Sequence, residues 1–242
     1  MRSISTSCDI IALNNYATKE LIQVRIRFLG HACVAVDDIL LFDPFLTGNP
    51  LAAARPEEVA ARYILVSHAH PDHLGDTVSI ARRQKATVIS TNEVAVLCQD
   101  QGAQTHGLHL GGRHAFDFGA VRCVTAFHGS GVAGGHACGF LVDYAGKRLY
   151  FAGDTGLYSD MQLLRDPWGP VDIAFLPIGG NYTMDAEDAA LAARWIAPAV
   201  VIPIHYDTWP LIAADPSRLR ARVERDGPSR VVILQPGETY TL

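Results

Sequence analysis

The segment that most constrains this chain is residues 67–73, which read Ser-His-Ala-His-Pro-Asp-His. It directly follows the apolar run 63–66, which has the character of a buried strand. Its first two histidines are two positions apart and project to one side of an extended chain. The aspartate is predicted to cap a helix that carries the last histidine in its first turn. The metal-capable side chains are His68, His70, Asp72 and His73. These side chains lie at the end of a strand, in a tight loop and at the start of a helix. This spread of positions suits two neighbouring metal ions better than one.

The length and composition of the chain predict one domain with a large core. Of its 242 residues, 49% are apolar and 19% are charged, which suits a compact enzyme or a two-layered sandwich. The pattern is weak over residues 1–22, which we interpret as an N-terminal extension of unclear role, and residues 23–242 are predicted to form the single domain. The formal net charge is −5 with no long Lys/Arg run, so no nucleic-acid partner is expected.

The sequence also predicts where the protein is located. No apolar run approaches the roughly 20 residues of a membrane span, and polar residues follow Arg2, so neither membrane association nor a signal peptide is expected. The five cysteines form no Cys-x-x-Cys pair, and most lie in apolar stretches. They are Cys8, Cys33, Cys98, Cys123 and Cys138. These features predict a reduced, cytoplasmic protein without a cysteine metal site.

The first half of the chain has the pattern of a sheet followed by helices. Apolar and charged residues alternate over 24–28, and two further apolar runs flank Asp37-Asp38, which predicts a hairpin. After the metal-capable segment, apolar residues at helical spacing predict a helix over 73–85. A strand is predicted over 87–90, and a second helix over 92–101.

The second half repeats this alternation. Residues 108–141 are rich in glycine and β-formers and predict antiparallel strands, with a hairpin turn at 144–147. Asp185 and the pair Asp215-Pro216 are predicted to begin two helices. Strands are predicted over 171–177, 199–204 and 230–234. Two β-rich halves, each with its own helices, predict two packed sheets with helices outside.

Three more candidate ligands share one placement, just past the carboxyl end of a predicted strand. They are His128, Asp154 and His205. Taken alone, each has the character of an ordinary loop residue. The repeated placement favours a common cleft, because such strand ends can converge.

Together these residues resemble the metallo-β-lactamase superfamily, and within it the small metal-dependent hydrolases related to the ascorbate-phosphate lactonase. The resemblance covers about residue 24 to the C-terminus. Besides the metal-capable residues, the motifs that carry it are Phe28-Leu29-Gly30-His31, Asp43-Pro44-Phe45, Gly153-Asp154-Thr155-Gly156, Pro177-Ile178-Gly179-Gly180-Asn181-Tyr182-Thr183-Met184 and Pro203-Ile204-His205-Tyr206.

The resemblance implies an α/β fold, an αββα sandwich of two mixed sheets flanked by helices, with a binuclear metal site at one sheet edge. The ligands that it implies for the first metal are His68, His70 and His128. Those for the second metal are Asp72, His73 and His205. Asp154 would bridge the two metals.

This ligand set predicts the chemistry of a hydrolase. Imidazole and carboxylate ligands suit two divalent ions, Zn²⁺ first and Mn²⁺ or Fe²⁺ as alternatives. A bridging hydroxide would be the nucleophile, and Asp72 would orient it or take its proton as the catalytic residue. The centre would keep a formal charge of about +1, which favours a small anionic substrate. We expect cleavage of a lactone, carboxylic ester, thioester or phosphoester.

Two other functions stay open at this point. A mononuclear iron dioxygenase acting on a persulfide keeps a similar His-rich motif, and one iron per chain with oxygen consumption would favour it. A non-enzymatic module in which metal only staples the loops is the second alternative. Seven ligands, including a bridging carboxylate, exceed what such a closed structural site needs.

Several loop residues are candidates for substrate contact or for support of the ligands. They are His31, His136, Asn181, Tyr182 and Thr183. The other histidines, His106, His109 and His114, are expected at the surface. A small-molecule substrate is the expected partner, and a homo-oligomer is expected by analogy alone.

Overall fold

A computed structural model describes residues 23–242 of the chain. The N-terminal extension predicted for residues 1–22 lies outside the described residues. The chain forms two seven-stranded mixed sheets flanked by helices, and the predicted αββα sandwich is confirmed.

The first sheet takes its strands from the first half of the chain and from the C-terminus. They are β1 (Arg25–Gly30), β2 (Cys33–Val36), β3 (Leu40–Phe42), β4 (Tyr63–Leu65), β5 (Thr87–Thr91), β6 (Gln104–Leu108) and β14 (Thr239–Thr241). Their spatial order is β14-β1-β2-β3-β4-β5-β6. The pairs from β14 to β3 are antiparallel, and those from β3 to β6 are parallel.

The second sheet repeats this arrangement. Its strands are β7 (Arg113–Phe116), β8 (Gly119–Thr125), β9 (Cys138–Tyr144), β10 (Lys147–Phe151), β11 (Ile173–Pro177), β12 (Val200–Ile204) and β13 (Arg230–Val231). The order is β13-β12-β11-β10-β9-β8-β7. The strands from β7 to β10 form an antiparallel meander, and those from β10 to β13 are parallel.

Helices cover the outer faces of both sheets. They are α1 (Pro71–Leu74), α2 (Thr77–Gln84), α3 (Asn92–Asp100), α4 (Ala186–Ile196) and α5 (Pro216–Asp226), with three 3₁₀ turns at Pro56–Glu58, Ser159–Leu164 and Pro210–Ile212. Asp185 caps α4 by accepting from two backbone N–H groups, and Asp215 caps α5, as predicted. Within residues 23–242, none of the helices combines the length and the apolar character that crossing a bilayer requires.

The core between the sheets consists of apolar side chains that alternate along the strands. Phe42 of the first sheet stacks on Phe151 of the second, with ring centroids 4.8 Å apart. Both rings are fully buried, and burial of one such side chain stabilises the fold by about 1.5–3 kcal/mol. This packing holds the two sheets face to face and brings their strand ends together at one edge.

The predicted helix over 73–85 is wrong, because it breaks into α1 and α2. Gly75 lies between them with a φ of +37°, and a Cβ there would lie 2.5 Å from the carbonyl oxygen of Pro44. Asp76 then accepts hydrogen bonds from the backbone N–H groups of Leu46 and Thr47. The loop of residues 44–47 thus lies so close to Gly75 that the chain turns there and the helix cannot continue.

Two predicted strands are shorter than expected. The strand predicted over 230–234 ends at Val231, because pairing with β12 stops there. The strand predicted over 171–177 begins at Ile173, where pairing with β10 begins. The hairpins predicted at Asp37-Asp38 and at 144–147 are confirmed.

Candidate metal centre

The candidate ligands predicted from the sequence meet at one edge of the sandwich. The first four follow β4 of the first sheet, and the others follow β8, β10 and β12 of the second. Because β8 and β10 are both antiparallel to β9, they end at the same edge. The side chains brought together are His68, His70, Asp72, His73, His128, Asp154 and His205.

The start of α1 differs from the sequence prediction. His70, not Asp72, occupies the N-cap position, and Pro71 is the first helical residue. Proline favours that first position because it has no N–H to leave unpaired. Asp72 therefore lies inside the first turn and lines the cleft instead of capping the helix.

Three imidazoles form the first ligand group. Nδ1 of His70 lies 3.0 Å from Nε2 of His68 and 3.2 Å from Nε2 of His128. Nitrogen ligands about 2.0–2.1 Å from a tetrahedral zinc would be roughly 3.3 Å apart. Both distances are close to this value, and all three ligand atoms lie within 4.8 Å of one another, which fits three ligands of one ion.

Asp154 joins this group to a second one. Its Oδ1 lies 3.2 Å from Nε2 of His73, and its Oδ2 lies 3.1 Å from Nε2 of His205 and 3.5 Å from Nε2 of His128. Asp72 approaches the second group, with Oδ2 3.8 Å from Nε2 of His205. A carboxylate that faces ligands of both groups fits a bridging position between two ions.

Several of these atoms have no hydrogen-bond partner. Within the described part of the chain, Nε2 of His73, Oδ1 of Asp154 and both ring nitrogens of His205 are buried and unpaired. An unpaired buried polar atom costs about 1–3 kcal/mol. These atoms lie close to one another without forming hydrogen bonds, which is the arrangement expected of ligand atoms that face a shared cation. The residues present therefore fit a metal-binding role.

A buried network orients two of the histidines. Asp43 accepts from the backbone N–H of Ser67 at 2.7 Å, from its hydroxyl at 2.5 Å and from Nδ1 of His73 at 2.7 Å. Since the Ser67 hydroxyl donates to Asp43, its oxygen accepts from Nδ1 of His68, 2.9 Å away. In their neutral, metal-binding form both imidazoles therefore carry their proton on Nδ1 and direct the Nε2 lone pair into the centre.

A second chain of contacts reaches Asp72. Nε2 of His31 lies 3.3 Å from Oδ2 of Asp72, and its Nδ1 lies 2.7 Å from the hydroxyl oxygen of Thr208. An ionised Asp72 only accepts, so His31 donates from Nε2 and accepts from Thr208 at Nδ1. Thr208 and His31 thereby position Asp72.

Burial and charge keep His68, His128 and Asp154 in the forms that bind metal. Burial lowers the pKa of His68 to about 2 and that of His31 to about 4, and it also lowers the pKa of His128. Burial acts to raise the pKa of Asp154, but the imidazoles of His73 and His205 outweigh it and hold this pKa well below its usual value. Neutral imidazoles and an ionised carboxylate are the ligand forms.

The opposite shift occurs at His73. Burial acts to lower its pKa, but Asp154 and Asp43 outweigh this effect and raise the pKa well above its usual value. The two carboxylates thus favour positive charge at this position, which is the charge that a bound cation would supply.

A cleft of about 430 Å³ opens in front of the centre. Its lining consists of Phe45, His70, Pro71, Asp72, His128, Asp154, Tyr182, His205 and Trp209. The sequence did not single out Trp209 or Phe45 as cleft residues, because each reaches the centre only through the folding of its loop.

The predicted substrate residues fall into different places. Tyr182 lines the cleft, whereas His136, Asn181 and Thr183 are not among its lining residues. His31 is fully buried and contacts Asp72 and Thr208, and it has a ring nitrogen within 4.8 Å of ligand atoms of Asp72, His73 and His205. Among the histidines expected at the surface, His109 and His114 are exposed and His106 is half-buried.

Three residues that support the centre, Asp43, Ser67 and Thr208, were not predicted from the sequence to have a role there. Asp43 appeared only within a motif of the resemblance, and Ser67 only as the residue before the ligands. The sequence feature that could have identified them is a polar side chain within or next to an apolar run, because a buried polar group needs a hydrogen-bond partner.

Comparisons with known proteins agree with this geometry. Residues 38–206 match the model of the Beta-lactamase superfamily domain. A UPF0173 metal-dependent hydrolase from Symbiobacterium thermophilum is 51% identical over 226 residues, which cover 90% of this chain and 100% of the relative. A protein of the same name from Natranaerobius thermophilus is 45% identical over 222 residues, with the same coverage.

A solved structure shows the same relationship. Igni18, described as a novel metallo hydrolase from Ignicoccus hospitalis, superimposes with a TM-score of 0.85 at 36% identity, over 91% of this chain and 98% of that one. The resemblance to the metallo-β-lactamase superfamily is confirmed. With its fold, its cluster of histidines and carboxylates and these relatives, the chain belongs to the UPF0173 metal-dependent hydrolases of the beta-lactamase superfamily.

Proposed function

We propose that this metal-dependent hydrolase binds two divalent ions and cleaves an ester-type bond in a small molecule. The observation that carries the proposal is Asp154, a buried carboxylate that faces imidazoles of both ligand groups. His68, His70 and His128 would hold the first ion, and the other ligands would hold the second. Zn²⁺ is our first choice of metal, with Mn²⁺ or Fe²⁺ as alternatives, because the ligands are imidazoles and carboxylates.

The chain's own residues would bind the reacting groups and move one proton. When bound, the ions supply a water of lowered pKa and positive charge where negative charge develops on the substrate. In the overall hydrolysis a water oxygen would bond to the acyl carbon or the phosphorus, and the bond to the leaving oxygen or sulfur would break with its electron pair. Asp72, which lines the cleft and is held by His31, would take a proton from the water and pass it to the leaving oxygen or sulfur. A lactone, carboxylic ester, thioester or phosphoester fits this scheme.

The two alternatives have less support. A persulfide dioxygenase whose single iron is held by the first ligand group leaves the other four of the seven ligands without a role, and relatives at 45–51% identity carry the name of hydrolases. A purely structural metal would need no cleft, yet Asp72 and His128 line one. For the location of the protein we propose the cytoplasm, because Cys33, Cys98, Cys123 and Cys138 are all free thiols.

Elemental analysis followed by an activity screen tests this proposal. We expect about two divalent ions per chain and anaerobic turnover of at least one lactone, ester, thioester or phosphodiester. Two ions are expected because Asp154 faces His128 of the first ligand group as well as His73 and His205 of the second. One iron per chain with oxygen uptake on a persulfide would contradict the proposal. Full metal loading without turnover of any ester-type bond would support a structural role instead.

The contact between Thr208 and His31 gives a prediction about Asp72. Replacing Thr208 by Val removes the hydroxyl that holds Nδ1 of His31, so the ring is free to turn away from Asp72. We expect kcat to fall about 10-fold, the lower range for a residue that supports a metal ligand. Steady-state kinetics on the metal-loaded enzyme measures this change.

Thr208→Ser is the matched control, because it retains the hydroxyl and should keep kcat within about twofold of the original enzyme. NMR of ¹⁵N-labelled imidazoles gives a second measurement, and it should show His31 protonated at Nε2 only when residue 208 carries a hydroxyl. Equal kcat values and equal imidazole spectra for Thr208→Val and Thr208→Ser would contradict the positioning role.

A further inference from the structure

We infer that the part of the substrate that is not cleaved is uncharged and apolar, with an alkyl chain or an aromatic ring. This inference rests on the proposed function and concerns the same cleft. It departs from the anionic substrate expected from the charge of the metal centre alone. The observations that carry it are the residue types of the cleft walls.

The cleft has a charged floor and apolar walls. Its carboxylates and imidazoles, such as Asp72, His128 and Asp154, all belong to the candidate metal centre, and Tyr182 is a further polar side chain. Among the described residues that line the cleft, none is a lysine or an arginine. A carboxylate or phosphate placed away from the ions would therefore lose hydration and gain no partner.

Aromatic rings form one side of the opening. The rings of Phe45 and Trp209 lie 6.1 Å apart at 33°, and Trp209 also packs edge-on against His31, 5.1 Å away. Because His31 is fully buried, these contacts fix the orientation of the Trp209 ring. The result is a firm apolar surface beside Asp72.

The outer part of this surface remains uncovered. Trp209 is 38% exposed and Tyr182 is 55% exposed. An apolar part of a ligand that covers such rings is removed from water together with them. The affinity for the ligand then rises about fourfold for each CH₂ that is buried. A bound alkyl chain or ring would cover both side chains.

The volume of the cleft limits the size of the substrate. About 430 Å³ equals the space of roughly fourteen water molecules in the liquid. A medium-chain or monoaromatic ester has about that many non-hydrogen atoms, whereas a peptide or an oligonucleotide exceeds it. The inference is therefore a small neutral ester or lactone with an apolar acyl group.

A matched pair of esters tests this inference on the metal-loaded enzyme. 4-Nitrophenyl hexanoate and mono-4-nitrophenyl adipate share the leaving group and the length of the acyl chain, but one ends in CH₃ and the other in a carboxylate. We expect kcat/KM to be at least tenfold higher for the hexanoate, after division by the rate of alkaline hydrolysis of each ester. Equal values, or a preference for the adipate, would overturn the inference and leave the proposed hydrolase function intact.

Cleft variants identify the residues that recognise the chain. Trp209→Ala and Tyr182→Ala should each lower kcat/KM for the hexanoate at least fivefold more than that for 4-nitrophenyl acetate, because the acetate is too short to reach the rings. Val96→Ala, an exposed apolar residue of α3 outside the cleft, is the control and should change neither. Tyr182→Lys should shift the preference toward the adipate. Equal losses on all esters would contradict recognition by these rings.

Binding of unreactive amides separates this inference from the proposed function. Hexanamide and adipamate, its ω-carboxylate counterpart, should differ at least tenfold in Kd, measured by ligand-observed NMR on the metal-loaded enzyme. If no ester is hydrolysed but hexanamide binds more tightly, the proposed function fails and the apolar specificity stands. If adipamate binds as tightly, the apolar specificity fails whatever the activity.

Discussion

Replacing Asp154 by Asn is expected to lower kcat/KM about 10³-fold and to reduce the bound metal below two ions per chain. Asp154 is 3% exposed and lies within 3.5 Å of imidazoles from both ligand groups. Asparagine retains the shape but removes the negative charge, and one of its two oxygens becomes an NH₂ that cannot bind a cation. Loss of groups that stabilise developing charge typically costs 10²–10³-fold, and loss of an ion adds to this.

Metal analysis and kinetics on the same preparation measure the effect of Asp154→Asn. Asp160→Asn is a suitable control, because Asp160 is an exposed carboxylate in the 3₁₀ turn Ser159–Leu164, outside the candidate centre. It should keep full activity and metal content. Two firmly bound ions in Asp154→Asn would show that this carboxylate does not bridge the groups.

Replacing Asp43 by Ala is expected to destabilise the fold by about 3–5 kcal/mol and to weaken metal binding 10–100-fold. The carboxylate is fully buried and accepts three hydrogen bonds, two from Ser67 and one from His73. Removing one partner of a buried charged pair leaves the other uncompensated, which is the source of the large energy. His73 also loses the contact that sets its tautomer, so its Nε2 is no longer directed into the centre.

Urea unfolding of the metal-free protein and metal titration test the two effects of Asp43→Ala separately. Asp172→Ala is the matched control, since Asp172 accepts a backbone hydrogen bond from Arg148 in the second sheet, outside the centre. It should cost about 1 kcal/mol and leave metal affinity unchanged. Unaltered metal affinity in Asp43→Ala would refute the role of Asp43 in orienting His73.

The sheets and the ligand cluster are predictable because their signals are local. The alternation over 24–28 and the apolar run before His68 lie within a few neighbouring residues, as do the caps at Asp185 and Asp215. The second sheet resembles the first because the same short patterns recur in the second half of the chain. Local periodicity decides these elements, and the packing of the whole molecule agrees with it.

The supporting contacts are not predictable in this way, because they join distant parts of the chain. Thr208 and His31 are 177 positions apart, and His73 and Asp43 are 30 apart. The break at Gly75 has the same origin, since it depends on a loop about thirty residues earlier. Substrate contacts are the least predictable, and of the loop residues selected from the sequence, Tyr182 is the one that lines the cleft.

The mixed origin of the ligands has a consequence for the metal-free protein. Each proposed ion would take two ligands from the segment after β4, which comprises a loop and α1, and at least one from the second sheet. Each ion would therefore link the two halves of the molecule. At a free metal concentration of 100 times its Kd, one ion would add about 2.7 kcal/mol to stability. Hydrogen exchange in the ligand-bearing loops of both halves should therefore slow together when metal is added, whereas the outer helices should exchange as before.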